Sequence, residues 1–298
     1  MLTIDPKEVK TSVLHSYLLG AVAPRPIAFA STIDKEGNPN LSPFSFFNVF
    51  SAKPPIVIFS PVRSGRTGAT KNTHDNIKEV PEVVINMVNF DLVQQASLTS
   101  IEYPKGVNEF IKAGLTAIPS VMVKPFRVKE SPAQLECKVK QVIELGSEGG
   151  AGNLIICEVV MIHVSEEVLD ANKNIDPNKI DLVSRMGANY YCRASGNAVF
   201  EVQKPLTVIG IGVDQIPANI RSSNVLSGNN LGQLGNVEKL PSKEEVDNFK
   251  RVHLSDIFSK NKADNAQLEH DLHEKAKQLL AAGNVDEAWK TLLSFSGN

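Results

Sequence analysis

The residues best suited to chemistry lie between Pro24 and Asn76, in PRPIAFASTIDKEGNPNLSPFSFFNVFSAKPPIVIFSPVRSGRTGATKNTHDN. One group is a run of small polar side chains, Ser42, Ser45 and Asn48, set among Phe44, Phe46 and Phe47. Alternate residues of a strand share a face, so Ser42 belongs with Phe44 and Ser45 with Phe47. Pro43 cannot donate to a ladder and belongs at an edge or an irregularity, which frees backbone amides around it. These groups suit the hydrogen-bonding edge of a flat polar ring. They suit equally a hydroxyl-dotted edge strand whose phenylalanines fill a core.

The second group is Arg63-Ser64-Gly65-Arg66-Thr67-Gly68, followed by Lys71-Asn72-Thr73-His74 where a helical stripe, Ile77 and Val80, begins. A phosphate is held by amide donors at a helix start together with a cation. Lys71 and Thr73, with Arg63 and Arg66 nearby, match that need, and match a solvated basic turn as well. Arg25, stiffened between Pro24 and Pro26, adds a cation at the mouth of a strand, for a ligand or for a surface ion pair. A reader of a flat ring beside a reader of a phosphate makes the two halves of a site for flavin mononucleotide (FMN).

Other chemistries find weaker support. Gly210-Ile-Gly212 lacks the third glycine of a dinucleotide-binding fingerprint. His270 and His273 stand three apart beside Glu269, Asp271 and Glu274, but HExxH is absent and a solvated helix face is the expectation, with no metal. His163 reads as a packed or rim residue. No G-x-S-x-G elbow supports a hydrolase, and no catalytic acid, base or nucleophile stands out. A net charge of -2 argues against a nucleic-acid footprint. No apolar run of about 18 residues suggests a membrane helix, and MLTIDPKEVK lacks the apolar core of a signal peptide. The scattered Cys137, Cys157 and Cys192 fit a reducing, cytoplasmic setting.

The elements follow from pattern. Asp5-Pro6-Lys7-Glu8 predicts a helix start, with Val9, Val13, Leu14, Tyr17 and Leu18 as its apolar stripe and an end near Gly20. Strands are expected over 27–33, 40–50, 56–60, 83–88, 135–145 and 154–164. Helices are expected over 73–80 and 91–100. Asp34 to Asn38 is a hairpin turn with Gly37 at positive φ. Strands joined by short turns point to a closed antiparallel barrel rather than a doubly wound parallel sheet. The character shifts near Lys204-Pro205. Beyond it come an Asn/Gly-rich loop, SGNNLGQLGN from Ser227 to Asn236, a polar mobile stretch over 251–264, and a helical hairpin. In that hairpin Leu268, Leu272, Ala276 and Leu279 form one face, Gly283-Asn284 the stop, and Val285, Ala288, Trp289, Leu292 and Leu293 the second stripe.

PRPIAFAST, NLSPFSFFNVFSAKPP, KNTHDNI and SRMGANYYCRASGNAVFEVQKP together resemble the flavin reductase-like, FMN-binding split-barrel family, with the flavoredoxin branch nearest. The resemblance runs from about Leu14 to Pro205. It implies a mainly β fold with added helices: a six-stranded antiparallel Greek-key split barrel over 1–205. The C-terminal extension, 206–298, lies outside the resemblance and is expected to serve as a strap, a lid or a partner-binding part. The resemblance also implies a homodimer and FMN bound near the dimer interface. Carried over position by position, Arg25 lies beside the flavin. Ser42, Phe44 and Ser45 lie in the ring-contacting strand, Asn48 follows it, and Ser60 ends the next strand. Lys71 and Thr73 form the phosphate-binding Lys-x-Thr element, Arg63 lies nearby, and Arg185, Gly187 and Tyr191 close over the site. The Ser64–Gly68 segment is longer than is usual there. The function implied is hydride transfer from NADH or NADPH to flavin N5, with Arg25 stabilising charge near N1 and O2. The alternatives are an electron-carrier module serving a protein partner, such as a monooxygenase, and a flavin-free relative holding another planar ligand such as haem.

Overall fold

The computed structural model describes residues 1–202 and 209–295. The chain divides into two compact units, Met1–Phe200 and Glu201–Asn298. The boundary expected at 205/206 lies outside the described residues.

The first unit is built on a seven-stranded sheet, β1 (Ala28–Ile33), β2 (Pro39–Phe44), β3 (Phe47–Ala52), β4 (Pro55–Phe59), β5 (Glu82–Asn86), β8 (Ala133–Glu144) and β9 (Asn153–Val164). Its order is β2-β1-β5-β8-β9-β4-β3 and every pairing is antiparallel. Two-residue strands β6 (Ala117–Ile118) and β7 (Arg127–Val128) form a separate hairpin, as do β10 (Val183–Arg185) and β11 (Tyr191–Arg193). This is the split-barrel architecture. Six strands were expected and seven are present because the run 40–50 is not one strand. The chain changes partner within it: β2 pairs with β1 as far as Phe44, and β3 pairs with β4 from Phe47. Ser45 and Phe46 bridge the change, so the first and last strands of the sheet are consecutive in sequence. Pro43 sits in β2, an outer strand of the sheet, where a missing donor is tolerated.

Alternation divides the core. Ala28, Ala30, Val83, Ile85, Val57, Phe59, Ile155 and Cys157 pack on one face with Phe44 and Ile77. Phe29, Leu41, Val88 and Phe110 pack on the other. All six residues of β1 are buried, since both of its faces are covered. Each large apolar side chain among them, such as Phe29, contributes about 1.5–3 kcal/mol when taken fully from water. Helices α2 (Asn72–Glu79), α3 (Val93–Leu98) and α4 (Glu109–Ala113) accompany the sheet, with α5 (Pro177–Ile180) before β10. Outer strands leave backbone donors to be satisfied. Buried Glu109 meets one of them, its Oε2 accepting from the Leu41 amide at 3.1 Å. Burial raises that carboxyl above its usual value, against the pull of the Leu41 and Glu109 amides.

The first helix, α1 (Thr11–Ala21), begins later than its predicted start at Pro6. Asp5 closes a single turn instead, its side chain accepting from the Lys7 amide and its carbonyl from Glu8. The predicted stripe is not a core face: α1 has no buried residue, and Val13, Tyr17 and Leu18 are exposed.

The second unit is helical: α6 (Ala218–Arg221), α7 (Gly228–Gly235), α8 (Lys243–His253), α9 (Ser255–Lys260), α10 (Asn265–Ala281) and α11 (Val285–Leu293). Two expectations are corrected here. The Asn/Gly-rich segment is helix α7, because Ser227 and Asn230 form a capping box and Leu234 is fully buried. Residues 251–264 are mostly helical, as the end of α8 and all of α9. The glycines have a packing reason. A Cβ on Gly210 would stand 2.5 Å from the Gly235 carbonyl oxygen, and one on Gly235 3.0 Å from the Gly212 carbonyl carbon. The Gly210-Ile-Gly212 segment is thus a close backbone approach, with Gly212 donating to Gly235 at 2.9 Å. The α10–α11 hairpin follows its predicted stripes, with Gly283 at φ +80° between the helices. Leu279, Leu280, Ala288, Trp289 and Leu292 join Leu234 in the core.

Candidate flavin site

The ring half centres on the partner change at Ser45–Phe46. Arg25, only 6% exposed, donates from Nε to Ser45 Oγ at 3.4 Å. Its other nitrogens go to backbone carbonyls: Nη1 to Leu19 and Val22 at 2.6 and 2.5 Å, and Nη2 to Met186 at 2.9 Å. Burial, then the nearby Arg185 cation, lower its basicity. Arg25 and Arg185 also exchange both backbone hydrogen bonds, at 2.9 and 2.8 Å. Gly187 lies against α1, where an added Cβ would meet the Gly20 Cα at 3.3 Å. Tyr191 is exposed and carries the Arg185 guanidinium over its ring at 4.7 Å. On the other side of the change, the Ser60 amide donates to the Phe46 carbonyl at 2.8 Å, and Ser60 Oγ accepts from the Asn153 amide at 3.0 Å.

The remaining ring residues separate. Ser42 is partly exposed, on the β2 face of Asn40 and Phe44. Phe44 is a core residue, its ring 5.6 Å from that of Phe59. Asn48 is exposed and its Oδ1 accepts from the Val49 amide.

The phosphate half is the start of α2. Lys71 occupies the N-cap and makes no side-chain cap bond. The first amides of a helix have no intrahelical acceptor, which leaves those of Asn72 and Thr73 available. Thr73 is buried, and its Oγ1 accepts from Asn40 Nδ2 at 2.9 Å. That bond ties the phosphate half to β2, five residues before Ser45 and about 16 Å along the strand. Arg63 Nη1 donates to the Gly68 carbonyl at 3.3 Å and Nη2 to Glu144 at 3.2 Å, while its buried Nε has no partner among the described residues. Glu144 also takes Lys78 at 2.5 Å and His74 at 3.4 Å. Lys78 foremost, with His74 and Arg63, holds its carboxyl below the usual range despite some desolvation. The Ser64–Gly68 segment rests on the β8–β9 turn: a Cβ on Gly149 would stand 2.9 Å from the Ser64 carbonyl oxygen. Sequence reasoning overlooked Asn40, Glu102 and Glu144. Asn40 lay within a quoted motif, but nothing local marks Glu102, whose partner Lys71 is 31 residues away.

The residues fit a flavin phosphate: uncapped helix amides and a lysine at the cap are an anion's donors, and the partnerless Arg63 Nε is a further buried donor in the segment before them. Among the described residues no group of three or more His, Cys, Asp or Glu is placed to hold a metal. His273 is buried, its Nδ1 2.7 Å from Ser223 Oγ. His270 is exposed, and both histidines line a polar cavity of about 590 Å³. Burial pushes the Cys137 thiol up to about 12 and Cys157 well above the usual value, so neither is a thiolate near neutrality. Among the described residues no helix is long and apolar enough to cross a membrane.

The fold is that of a split-barrel domain of the flavin reductase type. Residues 20–181 match the family described as "Flavin reductase like domain", and the chain belongs to that family. An uncharacterized protein of Aquifex aeolicus is 37% identical over 196 residues, covering 66% of this chain and 97% of its own length. The nitrilotriacetate monooxygenase component B of Bacillus cereus superposes with a TM-score of 0.63 at 31% identity, covering 68% of this chain and 98% of that one. Flavoredoxin of Desulfovibrio vulgaris (Miyazaki F) shares the fold, with a TM-score of 0.53 at 20% identity over 69% of this chain and 98% of its own.

Proposed function

We propose that this chain binds FMN and catalyses its reduction by NADH or NADPH. The observation that carries this is the uncapped start of α2, with Lys71 at the cap, inside a flavin reductase-like domain. When bound, FMN would accept a hydride at N5 and pass reducing equivalents onward. Lys71, the Asn72 and Thr73 amides and Arg63 would hold the phosphate. Ser42, Ser45 and the backbone at the β2–β3 change would face the pyrimidine edge of the ring. Arg25 positions Ser45, and its guanidinium is already engaged by three carbonyls. No side chain is assigned as acid, base or nucleophile; the chain's part is to hold the ring, orient the nicotinamide and keep water out.

The experiment is FMN titration of the flavin-free protein, then anaerobic addition of NADH and, separately, NADPH. Tight binding with rapid bleaching of flavin absorbance is expected, with the donor identified by the faster rate. Tight binding without bleaching would replace the reductase by a carrier reduced by another protein. Failure to bind FMN would remove the ligand assignment altogether.

Likeness to a monooxygenase component supports a reductase that supplies reduced flavin to a partner oxygenase. A homodimer is part of the same proposal. Val49 and Phe50 on β3 are 65% and 63% exposed, and apolar side chains of this size on one short strand suit a protein interface. Sedimentation equilibrium should give twice the chain mass; a single-chain mass at micromolar concentration would sink this part.

A further inference from the structure

Glu102 lies half-exposed outside any regular element. Its carboxylate accepts a hydrogen bond from Lys71 Nζ, the ammonium at the cap of α2. Lys71 above all holds that carboxyl below its usual value, against slight desolvation, with help from Arg66 and Ser64. Both helpers belong to the long segment before α2. A carboxylate held by the ammonium at a helix start has the partner an anionic ligand's oxygens would seek.

We propose that Glu102 is an internal competitor for the flavin phosphate, occupying Lys71 until the phosphate displaces it. The inference rests on the FMN reading above. Lys71 cannot serve two anions at once without holding them against their mutual repulsion, so the carboxylate must swing away or lose its bond. Its position at the surface allows that movement. Glu102 therefore weakens FMN while leaving riboflavin, which lacks the phosphate, unaffected. The arrangement favours exchange of FMN over permanent retention.

Exposed ion pairs are individually weak, so the expected change is modest, roughly two- to fivefold. FMN and riboflavin dissociation constants would be measured by flavin fluorescence on the full chain, for wild type, Glu102→Gln, Lys71→Met and the double variant. Glu102→Gln should tighten FMN by that factor and leave riboflavin unchanged. In the Lys71→Met background the same substitution should give no gain, because the contested group is gone. Unchanged or weaker FMN binding by Glu102→Gln, equal tightening of riboflavin, or a gain that persists without Lys71 would each overturn the proposal. If FMN binds wild type and Glu102→Gln alike, only this inference fails. If no variant binds FMN, the flavin reading fails with it.

Discussion

Lys71→Met is expected to weaken FMN about 10- to 100-fold and to leave riboflavin binding at the wild-type value. Lys71 is the only lysine or arginine between the Ser64–Gly68 segment and the first turn of α2. A hydrogen bond to a charged group contributes about 1.5–3 kcal/mol, and each 1.4 kcal/mol is about tenfold in affinity. Methionine keeps the length of the stem and removes the charge, so the fold should be undisturbed. Thr73 should behave differently. Its hydroxyl is tied to Asn40, so its loss disturbs the link between α2 and β2 as well as the ligand. The readout is the ratio of FMN to riboflavin affinity. Parallel loss of both ligands would show that Lys71 maintains the fold and does not bind phosphate.

Trp289→Ala is expected to cost the helical unit about 3–5 kcal/mol, the range for an aromatic residue deleted from a core. Trp289 is 1% exposed and packs among Ile216, Ile220, Leu234, Ala276 and Leu280. Its Nε1 donates to the Leu234 carbonyl at 3.0 Å, so the substitution also strands a buried acceptor at the end of α7. Whole domains are stable by only about 5–15 kcal/mol, and this unit has fewer than a hundred residues, so most of its stability is at stake. Trp289→Phe retains most of the volume and loses only the hydrogen bond, and should cost distinctly less. Urea unfolding followed by far-ultraviolet circular dichroism measures both. A loss below about 1 kcal/mol for the alanine variant would show that α7 and α11 do not depend on this side chain.

What the sequence made legible was set by how local the cause was. The pair β8 and β9 needs only its own apolar residues and a Gly-rich turn, and both strands lie within two residues of expectation. The break between β2 and β3 is different. NLSPFSFFNVF is continuously strand-prone, and the chain parts there because Phe44 has reached the end of β1 while Phe47 meets β4. That is a decision made by partners, invisible in the run itself. The start of α1 was misplaced because Asp5 satisfies one turn as readily as it caps a helix. Helix α7 was hidden by glycine, whose cost in a helix is about 1 kcal/mol each; the Ser227 cap and the burial of Leu234 outweigh it. In the proposed site, the donors offered to a phosphate were readable as residue types beside a helix start. Their carboxylate counterparts were not, since Glu102 and Glu144 come from distant segments.

By area α1 adds little to the first unit, for it buries no residue of its own. Electrically it is not expendable. The carbonyls at its C-terminal end carry the negative pole of the helix dipole, and they face the guanidinium of Arg25, a cation taken out of water. Helix and arginine are thus countercharges to one another. The same side chain reaches Ser45 at the partner change and Met186 in the turn before β11. A segment at the surface is therefore linked through Arg25 to Ser45, beside the strand from which the flavin would be read, and the link is made by charge rather than packing.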